Sequence, residues 1–294
     1  MKKSNKEIIK KVIEKELSTP YKVNKEYFEF VKSTFIENWP VELTNISIGQ
    51  TGIKLSFNEM KTLGTYLNGE FHDAGPEYYP DIKDQVKKIT CDIIEKIEKN
   101  TYIFRNGFFV RLGSRSPKDT MEFYSHENGH CYTYEDALRL LTYSSERIYI
   151  DLQDCIQSNY QTYIWLREWM VFEPWQEFRC FMYKRKLIGV SQYNAIQGEV
   201  FSEIKENKDS IIYAIEKFFE LFKKASHLDS VIFDIIYFKK ESIINGYKTI
   251  ANSIKLLEIN PFFSMTYPGL YSWDEFNQNK KFKELFIYNK LKAK

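Results

Sequence analysis

A chain of 294 residues with 43% hydrophobic and 17% aromatic content can bury a sizeable core, as one large domain or as two lobes around a cleft. Its formal net charge of +2 supplies no field that argues for nucleic acid, and Cys91, Cys131, Cys155 and Cys180 lie too far apart for a zinc knuckle or a disulfide frame. The basic start has no apolar stretch after it, and no segment reaches the roughly 18 uncharged apolar residues of a membrane span, so the expectation is a cytoplasmic chain with reduced thiols and no membrane partner.

Residues 5–17 place Ile8, Ile9, Val12, Ile13 and Leu17 at helical spacing. A second apolar pattern, Tyr27 to Phe35, ends before Trp39-Pro40. Val41 to Leu55 alternates loosely around Gly49 and Gly52, which predicts two short strands. Ser56 to Asp81 reads as loop, with Gly64, Gly69, Gly75, Pro76 and Pro80, and Gln85 to Lys99 as helix. The segment from Thr101 to Asp119 predicts a hairpin turning at Asn106-Gly107 that runs into a polar loop. Tyr134 to Ser144 reads as a helix, Arg147 to Asp151 as a strand, and residues 162–172 as strand-like.

The second half is clearer. Phe178, Cys180 and Met182 share one face of a strand, Lys184-Arg185-Lys186 is a solvated hairpin tip, and Leu187 to Tyr193 is the return strand. Residues 205–224 carry Ile211, Ile215, Phe218, Phe219 and Phe222 as the buried stripe of a long helix. Two further strands, around Asp234 and around Glu258, flank a polar turn at Asn245-Gly246. The pattern is α+β with a largely antiparallel sheet in the second half. The segments divide as an N-terminal helical and short-strand region (1–60), a first lobe (61–168) and a second lobe (169–294).

Asp234 interrupts an apolar strand, where an unpaired carboxylate would be costly. Glu258 and Asn260 are two apart on a strand and share a face, with Leu257 and Ile259 on the other. Three hard oxygen donors on neighbouring strands suit magnesium; the alternative is that both acids pair with Arg or Lys across the sheet. Arg111 is followed by Ser114, Arg115, Ser116 and Lys118, the cations and hydroxyls a triphosphate needs, although no P-loop is present and a solvated basic loop is the alternative. Arg167 and Glu168, like Glu177 and Arg179, are charges set among apolar residues: Glu168 is placed to meet an adenine amino group and Arg179 a phosphate, unless Glu177 and Arg179 simply pair across strands. His126 and His130 flank Asn128-Gly129, a loop signature that disfavours zinc.

The run from Leu166 to Tyr193 resembles the central signature of the cell division cycle protein 123 (D123) family, and VRLGSRSPKD, DSVIFDIIYF and KLLEINPFFSMTYPGLYSWDEF agree in order. The resemblance implies an ATP-grasp fold in which two α+β lobes clasp ATP and magnesium. By that likeness Arg111 takes the phosphate-binding lysine position, Arg167, Glu168 and Trp169 lie at the hinge beside adenine, and Arg179 sits on the first strand of the second lobe. Asp234, Glu258 and Asn260 fall on the magnesium-binding positions. Gly113 to Asp119 departs from the family loop by losing an aromatic residue and gaining Arg115. The resemblance implies an assembly chaperone for translation initiation factor 2, binding its gamma subunit to promote joining with the alpha subunit. The other function carried forward is an ATP-grasp ligase or phosphotransferase with an unidentified acceptor.

Overall fold

Asn24 opens the first helix of the computed structural model: its side chain accepts a hydrogen bond from Tyr27 N at 3.0 Å, and α1 (Lys25–Lys32) buries Phe28. The structure describes residues 23–67, 80–101, 103–125, 127–142, 145–194, 200–244 and 247–278; the helix expected at 5–17 and the Asn245-Gly246 turn lie outside these residues. After a 3-10 turn at Ile36–Asn38, Pro40 caps α2 (Val41–Asn45), so the first of the two strands expected here is a helix. Proline's fixed φ suits a helix start, and only Leu43 of this turn is buried, too little apolar alternation to hold a strand.

The second expected strand is β1 (Gln50–Lys54). The loop expected from Ser56 is instead α3 (Phe57–Leu67). Ser56 N donates to Glu59 Oε2 at 2.7 Å and Glu59 N donates to Ser56 Oγ at 3.2 Å, a reciprocal capping box that outweighs Gly64 inside the helix. Next comes α4 (Pro80–Thr101), and β2 (Phe108–Leu112) takes its partners from β3 and β4 later in the chain, so no hairpin forms at Asn106-Gly107. Gly107 has φ +82°, and a Cβ there would sit 2.4 Å from His130 Nε2; this close approach is what the glycine serves.

The chain continues through α5 (Met121–Ser125), β3 (His130–Cys131) and α6 (Tyr134–Thr142). Arg147 to Asp151, expected as a strand, lies in α7 (Glu146–Gln157). Ser145 Oγ accepts from Ile148 N at 3.2 Å, and Ile148, Leu152 and Cys155 are buried at helical spacing. After β4 (Tyr163–Glu168), the first sheet is complete: antiparallel, in the order β1-β4-β2-β3.

The second sheet is also antiparallel, ordered β6-β5-β7-β8, from β5 (Glu177–Tyr183), β6 (Lys186–Gln192), β7 (Val231–Ile244) and β8 (Tyr247–Pro261). Lys184 and Arg185 turn the first hairpin with φ of 48° and 60°, the positive pair that matches the twist of the strands. Lys184 and Lys186 are exposed as expected, but Arg185 is not a solvated tip. Its guanidinium donates to the carbonyls of Ser226 (3.1 Å), Leu228 (3.1 Å) and Lys223 (2.5 Å), at the end of a helix whose last carbonyls need donors.

That helix, α9 (Lys208–Ala225), follows the short α8 (Ser202–Glu206). It lays Ile211, Ile215, Phe218, Phe219 and Phe222 on the sheet face carrying Phe178, Cys180, Met182 and Phe233, with Phe222 stacked on Phe233 at 4.1 Å. On the opposite face, α10 (Trp273–Gln278) and Tyr271 cover Phe181 and Ile232. A separate core joins α3, α4, α6 and α7 to the first sheet. The N-terminal residues divide between the two: Phe28, Phe35, Ile53 and Leu55 belong to the first core, Ile36, Trp39 and Leu43 to the second. The architecture is therefore α+β with two antiparallel sheets. Among the described residues no helix is long and apolar enough to cross a membrane.

Candidate functional site

The site begins with strand register. Arg179 of β5 stands opposite Asp234 of β7, which stands opposite Glu258 of β8, so three charged residues cross one sheet face in a row. Arg179 grips Asp234 with a fork, Nε to Oδ1 at 2.8 Å and Nη2 to Oδ2 at 2.7 Å. Asn260 Nδ2 adds a longer bond to Asp234 Oδ2 at 3.3 Å. A bulge between Asp234 and Ile235 pairs Ile235 with Leu256 and leaves Leu257 as the extra residue. The expected alternation thus holds for Glu258, Ile259 and Asn260, while Leu256 rather than Leu257 enters the core.

The first sheet contributes Arg111. Its guanidinium is held by its own loop, Nε to Leu112 O at 3.0 Å and Nη2 to Ser114 O at 2.7 Å, and Nη2 also reaches Glu258 Oε1 at 2.9 Å across the two sheets. Both acids are therefore paired with arginines, as one reading of the sequence anticipated, and the pairs meet at one place.

They adjoin a cavity of about 580 Å³. Ser116, Lys118, Arg179, Tyr193, Glu258 and Asn260 line it together with residues of α1 and α7. Lys118 Nζ lies 5.6 Å and the Arg179 guanidinium 4.8 Å from the Tyr193 ring centroid. Sequence reasoning did not single out Tyr193; its only signal was its place at the end of the return strand. Arg115 is anchored, with Nε 2.9 and 3.0 Å from the two Asp151 oxygens and Nη2 also bonded to Oδ1, which ties the loop to α7.

Electrostatics sort the acids. Burial opposes ionisation of Glu258, but Arg111, Lys118 and Arg179 together hold its carboxyl down at about 2. Burial pushes Asp234 up, against the Arg179 fork, and the Glu258 charge adds to the rise. Burial and the Asp234 charge push Glu177 up to about 8. Burial disfavours the Lys118 ammonium, yet Tyr193, Glu258 and Glu177 outweigh it and raise its pKa. Of the oxygen donors expected for a cation, Glu258 and Asn260 line the cavity, the Arg111 bond taking Oε1 of Glu258, whereas both Asp234 oxygens are engaged by Arg179, and among the described residues no group of three His, Cys, Asp or Glu side chains stands close enough to hold a metal ion.

The three residues expected beside adenine are not brought to this lining. Arg167 is fully buried and donates to Leu257 O and, at 2.8 Å, to Ser47 Oγ; its guanidinium lies 5.6 Å from the rings of both Trp39 and Phe109. Burial, with Arg111 adding to it, lowers its pKa. Glu168 accepts from Gly49 N at 3.2 Å, and Trp169 stacks on His130 at 4.2 Å with planes 6° apart. His126 and His72 lie outside the described residues.

Two antiparallel sheets with helices, an arginine-clamped acidic pair where they meet and a partly open cavity of mixed polar and apolar lining beside it define the class as α+β. Residues 70–289 match the D123 family model, and the chain belongs to the D123 family. It is 28% identical over 193 residues to the "Translation initiation factor eIF2 assembly protein" of Xenopus laevis (63% of this chain, 53% of that one). It is 30% identical over 200 residues to the protein of that name from Dictyostelium discoideum (65% and 47%). A CDC123-like protein of Acanthamoeba polyphaga mimivirus is 30% identical over 206 residues (67% and 56%). The chain thus spans about half the length of the curated relatives it matches. The solved structure of Cdc123 from Schizosaccharomyces pombe superposes with a TM-score of 0.63 at 22% identity, over 87% of this chain and 94% of that one, which shows a shared fold.

Proposed function

We propose that this chain is an ATP-grasp protein that binds ATP with magnesium and acts as an assembly factor for a translation initiation factor 2-like complex, by way of a gamma-type subunit. The observation that carries the nucleotide reading is that Lys118 and Arg179 line one cavity with Glu258 and Asn260, while Arg111, outside that lining, holds Glu258 from the first sheet. Cations from a loop and a sheet strand meet a polyphosphate from different directions, which a single basic loop cannot do. Glu258 and Asn260 would hold the cation first; Asp234 becomes a donor only when Arg179 turns from it toward a phosphate. A bound magnesium ion would offset phosphate charge. The assembly role is supported by the names of the relatives, and a cytoplasmic site of action follows from that role.

Calorimetric titration of the purified chain with Mg-ATP tests this, beside Glu258→Gln and Arg179→Met checked for folding by circular dichroism. Saturable binding by the wild type, weakened roughly tenfold or more in each variant, is expected. Wild-type affinity in both variants would remove the site assignment. Joining of purified gamma and alpha subunits of the initiation factor, followed with and without the chain, tests the assembly role. ADP release without such joining would turn the reading to a ligase or phosphotransferase.

A further inference from the structure

Tyr193 stands just past the end of β6, where its backbone N–H donates to Glu177 O at 2.9 Å and fixes it against the start of β5. Among the described residues its ring belongs to none of the three apolar clusters; it lines the cavity instead. Two cations from different parts of the fold lie against that ring: the Arg179 guanidinium of β5, 4.8 Å from the centroid, and the Lys118 ammonium, from the loop after β2, at 5.6 Å. Their situations differ. Arg179 has used its edge, with Nε and Nη2 on Asp234 and Nη1 on Tyr267 O, so its flat face is what remains for the ring. Lys118 makes no ion pair or hydrogen bond among the described residues, and the Tyr193 face is what its ammonium meets.

We propose that Tyr193 is a positioning residue, its ring holding the Lys118 ammonium in place for an anionic group of the ligand, which is a phosphate if the nucleotide reading above holds. Two cations gathered beside one ring repel each other, and the flexible stem of a lysine gives up such a position unless something attracts its head. A carboxylate partner would attract it more strongly, but would compete with the incoming anion and be left buried without its cation once the pair broke. The negative face of an aromatic ring attracts the ammonium without supplying an acceptor oxygen, so Lys118 keeps all its donors for the ligand. Arg179 must release Asp234 oxygens before it can do the same. Lys118 is therefore the cation that an arriving anion meets first, and Tyr193 is what aims it.

The test is a ring series at this one position in the full chain. Tyr193→Phe is the reference, followed by a partly and then a fully fluorinated phenylalanine at the same position, and by Tyr193→Leu, each checked for folding by circular dichroism. Fluorine withdraws charge from the ring face with little change of size, so packing and cation attraction separate. One readout is Mg-ATP affinity by calorimetry. The other, taken without nucleotide, is the ε-methylene signal of Lys118, assigned by its loss in Lys118→Arg. The expected result is an affinity that falls stepwise with fluorination to about tenfold below Tyr193→Phe, with a comparable loss in Tyr193→Leu. The Lys118 signal should be held upfield by the ring in Tyr193→Phe, move by steps with fluorination and be released in Tyr193→Leu. Equal affinity across the fluorinated series overturns the inference, as does a Lys118 signal indifferent to loss of the ring. A wild-type chain that binds no Mg-ATP removes the nucleotide reading; the Lys118 signal then decides the inference alone, which stands if the series is graded and falls if it is flat.

Discussion

Replacing Arg111 with Met and Glu258 with Gln, singly and together, isolates the ion pair that joins the two sheets at the site. The partners are 2.9 Å apart, with side chains 4% and 15% exposed, so solvent screens them little. The depression of the Glu258 carboxyl from 4.5 to about 2 is worth roughly 3 kcal/mol at neutral pH. Arg111 is the first of the three cations responsible, ahead of Lys118 and Arg179, so a coupling on the order of 1 kcal/mol or more is expected in the double-mutant cycle. Urea unfolding at pH 7 measures it. The sign of the pH dependence is fixed by the direction of the shift. A carboxyl held below its unfolded value stabilises the fold above about 4.5, and that contribution disappears as the pH falls toward 2. Wild type should therefore lose stability more steeply through this window than Arg111→Met. Additive single mutants, with coupling under about 0.5 kcal/mol, together with parallel acid limbs, would show that the pair does not tie the sheets.

Glu177→Gln should have the opposite pH signature. A carboxyl raised to about 8 costs stability as the pH climbs from 4.5 through 8, so the variant should match wild type near pH 5 and exceed it above pH 8, and equal unfolding midpoints at both ends would refute this. Arg185→Ala should cost about 2 kcal/mol by freeing three carbonyls, against under about 0.5 kcal/mol for Lys186→Ala, as measured by urea unfolding. Gly113→Ala would place a Cβ 1.7 Å from Glu37 Oε2, a carboxylate pinned by Thr162 (2.9 Å) and Trp165 (3.0 Å), and should destabilise by about 3 kcal/mol, with partial rescue by Glu37→Ala.

Much of the second sheet was legible because its residues follow one period without competition. The β5–β6 hairpin and the stripe of α9 stand where alternation and helical spacing place them. Arg147 to Asp151 misled because Ile148 and Ile150 alternate like a strand, while the Ser145 cap and the later Leu152 and Cys155 decide for a helix. The helix at Phe57 was hidden by Gly64, though the Ser56-x-x-Glu59 signal was present. At the site, Asp234 and Glu258 announced themselves as acids inside apolar strands. Their partners could be stated only as alternatives, since register decides that Arg179 faces Asp234 and only the packing of the sheets brings Arg111 to Glu258. Arg167 was read toward a ligand because a charge among aromatics suggests a binding role; its burial depends on acceptors from residues 47 and 257, far away in the chain. Tyr193 carried only its place at the end of the return strand until two cations were placed against its ring.

The seam around Leu256 has a mechanical meaning. Ile46 O accepts from Leu256 N at 2.9 Å, Leu256 O accepts from Ile48 N at 3.2 Å, and Arg167 fastens to the bulged carbonyl of Leu257 beside them. The edge strand of one sheet is thereby stitched to the segment that leads into the edge strand of the other. Such a seam resists both sliding and separation. Away from it Arg111 reaches Glu258 at 2.9 Å, and Tyr27 and Phe263, which both line the cavity, lie with ring centroids 5.6 Å apart. The two sheets are thereby fixed to one another by backbone hydrogen bonds along one line and by a buried ion pair off it, so that neither tie alone sets their angle.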